Sequence, residues 1–286
     1  MAEDQKNVVR SFARIAALLS LWIATHPYMG IFHDGRLYTL QALNRLDPTR
    51  YSQDLYFSFG SQDSLTEFSH LYGPLLFAFG TTLGHFYASI FGATLWMGAL
   101  NFLIRPLFHA RCEVLTAFVA CIVLDASYGG FGIFHYGEGF TSPRIFAEAM
   151  VMTSLGLCLR KQLPVSVLGL AGALAIHPIM AATGIAVVGT WVALENSLAR
   201  LFIIFAALIG VFLALADVQP FTRLLASFDP EWFGIVWKRC GFGFLLRWKV
   251  VDYLHVVAVG STLSVAYALG DAIVRRLIVC IAITSI

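Results

Sequence analysis

Apolar residues in this chain come in long runs parted by short polar turns, the rhythm expected of a polypeptide that crosses a bilayer repeatedly. Runs at 15–32, 86–104, 113–128, 144–159, 164–176, 179–194, 201–216 and 253–269 predict about eight transmembrane helices. The stretch 71–108 is too long for one comfortable span and carries Gly84-His85 in its middle, so an interfacial or half-span helix is expected at 66–82. Within 33–70, Leu37, Leu40, Leu43 and Leu46 recur as a narrow helical stripe. That stripe predicts an amphipathic helix lying on the membrane surface, ended by Asp47-Pro48. The last ten residues, 277–286, are apolar but too short to cross, and the chain is expected to continue beyond them.

Composition turns this pattern into a fold class. At 58% hydrophobic and 13% charged residues, with a mean hydropathy of +0.76, the chain cannot bury its apolar side chains inside a water-soluble globule of 286 residues. The expectation is an all-α polytopic bundle with interfacial helices, forming one transmembrane domain over 1–286. The net charge of +2 is small and its basic residues are scattered, so nothing points to nucleic acid. The five cysteines show no CxxC spacing, which argues against a disulfide framework or a zinc site.

Charge placement orients the bundle. Lys6, Arg10 and Arg14 precede the first run, and no small-residue cleavage site follows it, so the run reads as a retained anchor with residues 1–14 in the cytoplasm. Outer segments are then 33–70 and 129–143, and Arg105, Arg111, Arg160-Lys161, Arg200 and Arg275-Arg276 fall inside. Alternation places 217–251 outside, although it carries Arg223, Lys238, Arg239, Arg247 and Lys249 beside Trp232, Trp237 and Trp248. Two readings stand evenly: an outer interfacial segment that attracts a phosphate-bearing lipid, or a cytoplasmic basic helix with one span miscounted.

Between 105 and 200, Arg144 is the one basic residue that alternation leaves outside. It follows Ser142-Pro143, which reads as an N-cap and first helical residue. A cation in a first helical turn opposes the helix dipole, and Glu148 one turn deeper needs a partner or a wet cavity. Glu148 lies four residues on and is expected to orient Arg144; a purely structural ion pair is the competing reading. The same outer face collects Asp34, Asp54, Asp125, His135, Glu138 and His177. No set of residues has diagnostic metal-ligand spacing, which leaves the cofactor open, a divalent metal included.

These residues carry a resemblance. An amino-terminal span ending in Phe32-His33-Asp34-Gly35-Arg36, a long first outer loop with a surface helix and short later outer loops together resemble the GT-C superfamily of membrane glycosyltransferases. Ser142-Pro143-Arg144-Ile145-Phe146-Ala147-Glu148 and the His177-Pro178 helix end also resemble features of bacterial polytopic proteins of this type. The resemblance implies an enzyme of a bacterial inner membrane that moves a sugar from a polyprenyl-phosphate-linked donor to an acceptor on the outer side, with divalent-metal dependence left open. It implies a catalytic carboxylate at Asp34, with Asp54 as substitute because Gly35 stands where that family commonly pairs a second acid. Arg144, with Glu148, Glu138, His135 and His177 around it, would then bind the phosphate of the leaving group. A transporter or flippase of lipid-linked or small anionic substrates, and a non-catalytic membrane assembly subunit, are the alternatives.

Overall fold

The computed structural model describes residue 13 and residues 16–58, 61–124, 127–219 and 221–285. Lys6, Arg10, Arg14 and Asp125, and the side chain of Arg223, lie outside the described residues. The described chain is helical, with one small pairing of β1 (Ser127–Tyr128) and β2 (Phe134–His135). It divides into two compact units, 1–126 with 135–184, and 127–134 with 185–286.

Among the described residues, four helices rather than eight are long and apolar enough to cross a membrane: Phe68–Leu107, Pro178–Glu195, Ser197–Leu215 and Val250–Leu269. The other apolar runs fold into shorter helices. These are α1 (Ala16–Thr25), α6 (Arg111–Val123), α7 (Pro143–Leu159) and α8 (Leu163–Ile176). A 14-residue helix is about 21 Å long, short of a hydrocarbon core of roughly 30 Å. Polar and proline-bearing ends account for the shortfall: α1 stops before Pro27, and α8 is closed by His177-Pro178.

In the first unit, α2 (Gly35–Leu46) forms where the leucine stripe predicts a helix. Tyr38, Thr39, Gln41 and Ala42 are buried, whereas Leu37 and Leu46 are exposed. Hydroxyl and amide partners decide the face: Thr39 meets the Tyr72 hydroxyl at 3.2 Å and Gln41 donates to the Tyr56 hydroxyl at 2.7 Å. Short helices α3 (Pro48–Tyr51) and α4 (Leu55–Ser58) complete the segment.

Helix α5 (Phe68–Ile104) is two arms joined at Gly80, whose φ of 73° and ψ of 166° no helix contains. An L side chain would be strained there. The chain reverses at this point, because Tyr72 and His85, about 20 Å apart along a continuous helix, touch at 2.7 Å. Gly84 lets the arms close, since a Cβ there would sit 2.7 Å from the Leu75 carbonyl oxygen. The arm 68–79 is about 18 Å long and 81–104 about 36 Å, so the second alone has the length to span. Trp96, Leu100 and Ile104 of that arm pack with Trp22, Phe118, Ile122 and Ile145 in one core, and Tyr38, Phe68, Tyr72 and Ile176 form another.

The second unit contains the carboxyl-terminal part of α9 (Pro178–Glu195), then α10 (Ser197–Leu215), α11 (Pro230–Arg239), α12 (Val250–Leu269) and α13 (Ala272–Thr284). Asn196 caps α10 by accepting from the Leu198 and Ala199 amides. Arg276 bonds Glu195 and stacks 4.2 Å over Trp191, so the start of α13 lies at the same end as the turn between α9 and α10.

Candidate functional site

The loop before α7 and the first turn of that helix supply the centre of the first unit. Pro143 fixes the first helical turn and Ser142 occupies the cap position, yet its hydroxyl does not cap. It turns instead to Glu138, a short contact. Arg144 is held by two carboxylates. Its Nε reaches Glu138 Oε1 at 2.8 Å and its Nη2 the same oxygen at 2.6 Å, while Nη1 reaches Asp34 Oδ2 at 2.8 Å. Asp34 stands at the amino end of α2, so the pairing ties the first loop to α7.

Burial separates the two carboxylates. Glu138 and Arg144 are buried, whereas the Asp34 side chain remains 30% exposed. Its second oxygen lies 3.0 Å from His33 Nδ1. Two carboxylates and one guanidinium leave the cluster one negative charge in excess, with its accessible edge at Asp34. Nearby Tyr38 is pushed up to about 12 chiefly by burial, so its phenol stays neutral.

A second buried network runs beside this one. His85 Nε2 lies 2.9 Å from the Gly30 carbonyl and accepts from the Thr141 amide at 3.2 Å in the alternative tautomer, while Nδ1 lies 2.7 Å from the Tyr72 hydroxyl. The Thr141 hydroxyl donates to the His85 carbonyl and meets Ser89 Oγ at 2.8 Å. These bonds fix the segment that leads into Asp34 against both arms of α5. They were not foreseen in the sequence, where Gly84-His85 stood out only as an interruption of an apolar run.

Glu148 does not take the expected place beside Arg144 as its orienting acid. Its Oε2 accepts from Trp96 Nε1 at 2.8 Å and from the Gly137 amide at 3.3 Å, and its Oε1 is buried with no hydrogen-bond partner among the described residues. His135 is exposed on β2 and lines a cavity of about 340 Å³ with His26, Tyr136 and Glu138. His177 is half-buried; its Nδ1 accepts from the Met180 amide at 3.2 Å, and burial first, then the charge of Arg144, holds its pKa below the ordinary value. Asp54 is exposed and accepts from the Tyr56 amide at the start of α4, apart from the cluster's bonds.

Among the described residues no group of three or more His, Cys, Asp or Glu could hold a metal ion. No family model, curated protein or solved structure matches this chain.

Proposed function

We propose that this chain is a GT-C-like glycosyltransferase of a bacterial inner membrane, its amino terminus in the cytoplasm, moving a sugar from a polyprenyl-phosphate-linked donor to an acceptor on the outer side. The observation that carries this reading is the partly exposed Asp34 carboxylate, anchored through one oxygen by a buried arginine. An acceptor hydroxyl placed against Asp34 gives up its proton as its oxygen bonds the anomeric carbon. The bond from that carbon to the phosphate oxygen breaks, and the phosphate leaves with the electron pair. Arg144 then serves Asp34 more directly than it serves phosphate, because two carboxylates already occupy its guanidinium.

The deciding experiment measures transfer of labelled sugar from a polyprenyl-phosphate donor by the full chain in proteoliposomes. Asp34→Asn should lower the rate by about 10²-fold or more, the usual contribution of a general base, while Asp54→Asn stays near wild type. Undiminished transfer by a folded Asp34→Asn protein overturns the assignment. A transport reading draws on the buried Glu148 oxygen that has no hydrogen-bond partner among the described residues. Uptake of substrate into vesicles without covalent product would favour it.

A further inference from the structure

The second unit carries a cationic, aromatic face that the proposed reaction does not use. Arg276 and Glu195 mark one end of this unit, and α10 and α12 each run from one end to the other. The segment 217–249 therefore lies at the end opposite Arg276. It exposes Lys238, Arg239, Arg247 and Lys249, none of which forms an ion pair among the described residues. The acids nearby are committed or distant. Asp229 caps α11 through the Trp232 amide, and Asp252 is buried, accepting from the Lys249 and Phe131 amides at 2.7 and 2.9 Å. Glu231 sits in the first turn of α11, about 12 Å along the helix from Arg239.

The cations are gathered and held. Arg247 lies over the Trp237 ring at 5.5 Å, which draws it to the last turn of α11 beside Lys238 and Arg239. Lys249 lies over Phe131 at 5.4 Å, and the Phe131 ring packs against Gly241. The Trp248 indole donates to the Phe242 carbonyl at 2.7 Å and the Tyr253 hydroxyl to that of Leu245, so the turns bearing Arg247 and Lys249 are tied at both ends. Trp232, Phe233, Leu245 and Leu246 are exposed on the same segment, Leu246 by 88%.

We infer that this face binds the headgroup of an anionic glycerophospholipid, with the exposed aromatic and leucine side chains seated among the lipid chains. Charge complementarity selects that occupant: a zwitterionic headgroup offers no net charge to four unpaired cations, whereas apolar side chains beside them need a hydrocarbon neighbour. The inference is independent of the proposed reaction and of which leaflet the face meets.

Native mass spectrometry of the full chain in detergent, supplied with equal amounts of dioleoylphosphatidylglycerol and dioleoylphosphatidylcholine, tests it. Wild type should retain the anionic lipid over the zwitterionic one by about tenfold. Replacing Lys238, Arg239, Arg247 and Lys249 together by glutamine should abolish the preference, whereas Arg105→Gln with Arg111→Gln should leave it intact. If the fourfold variant loses its helical circular dichroism, Arg247→Gln and Lys249→Gln made singly should each weaken the preference, and Lys238→Arg with Lys249→Arg should preserve it. Equal retention of the two lipids by wild type, an undiminished preference in the folded glutamine variants, or displacement of the lipid by soluble glycerol phosphate would overturn the inference.

Discussion

The long helices of the two units use apolar sequence for opposite ends. In α5, 44% of the most apolar window is buried within the protein, and its two arms enclose His85, Ser89 and Tyr72 in hydrogen bonds. In α10 and α12 the buried share is 6%, and Phe205, Phe212, Val257 and Leu269 face outward. At the same mean hydropathy of 1.4, α5 thus packs on protein whereas α12 turns its side chains outward. A residue in the first unit answers to specific polar geometry, and one on the outward faces of the second answers mainly to hydrophobicity.

Removing Arg144 should break that contrast most strongly. Arg144→Leu leaves Glu138 buried and Asp34 half-buried without their shared cation, and losing one partner of a buried pair typically costs roughly 3–5 kcal/mol. Thermal unfolding in nanodiscs should show a large loss, partly recovered when Glu138→Gln is added. By contrast Arg276→Gln, at a pair whose Glu195 side chain is 54% exposed, should cost about 1 kcal/mol or less. Equal losses at the two sites would remove the distinction between the units.

The hairpin of α5 comes next. Gly84→Val pushes a branched side chain against the Leu75 carbonyl, and overpacking of this kind costs about 1–3 kcal/mol. Urea or thermal unfolding should register it, while Gly260→Ala on α12, with nothing within 4 Å of its Cβ position, should be neutral or slightly stabilising.

A smaller effect is expected from pH. His177 has a folded pKa below the ordinary 6.5, so as pH falls the unfolded chain takes up the proton first. Stability is therefore constant above about pH 6.5 and declines as pH falls through the depressed folded value. Unfolding temperatures across that window should fall for wild type, and His177→Gln should flatten the His177 part of the slope.

How much of this was legible depended on what set each feature. The bounds of α7, α8 and α9 follow from proline and serine at their ends, and local chemistry fixed them within a residue of the apolar runs at 144–159, 164–176 and 179–194. Asp34, Glu138 and Arg144 were picked out because charges in an apolar chain need partners, and the fold brings those three together. The leucine stripe locates α2, but it carries no record of the Tyr72 and Tyr56 hydroxyls that hold Thr39 and Gln41 on the other face. Trp96 gave no sign that its indole would meet Glu148, because an apolar context is the ordinary place for tryptophan. Eight runs were expected to span, but hydropathy does not measure helix length once a proline or a glycine turn divides a run.

The smallest predicted effect tests the outward faces themselves. Phe205 and Phe212 are 62% and 68% exposed on α10, and neither packs on another ring among the described residues. In a bilayer these rings exchange contact with lipid for contact with lipid when the chain unfolds within the membrane, so shortening them leaves no cavity inside the protein. Phe205→Leu with Phe212→Leu should change stability by about 0.5 kcal/mol or less in nanodiscs, as for surface substitutions elsewhere. The comparison substitution is Phe68→Leu, which truncates a ring 4% exposed and packed on Tyr38, Tyr72 and Phe146. That change should cost about 1–3 kcal/mol through lost contact and a residual cavity. If the paired α10 substitutions cost as much as Phe68→Leu, then α10 is covered by protein in the membrane, and the outward reading of the second unit gives way to an assembly in which another chain supplies the missing contact.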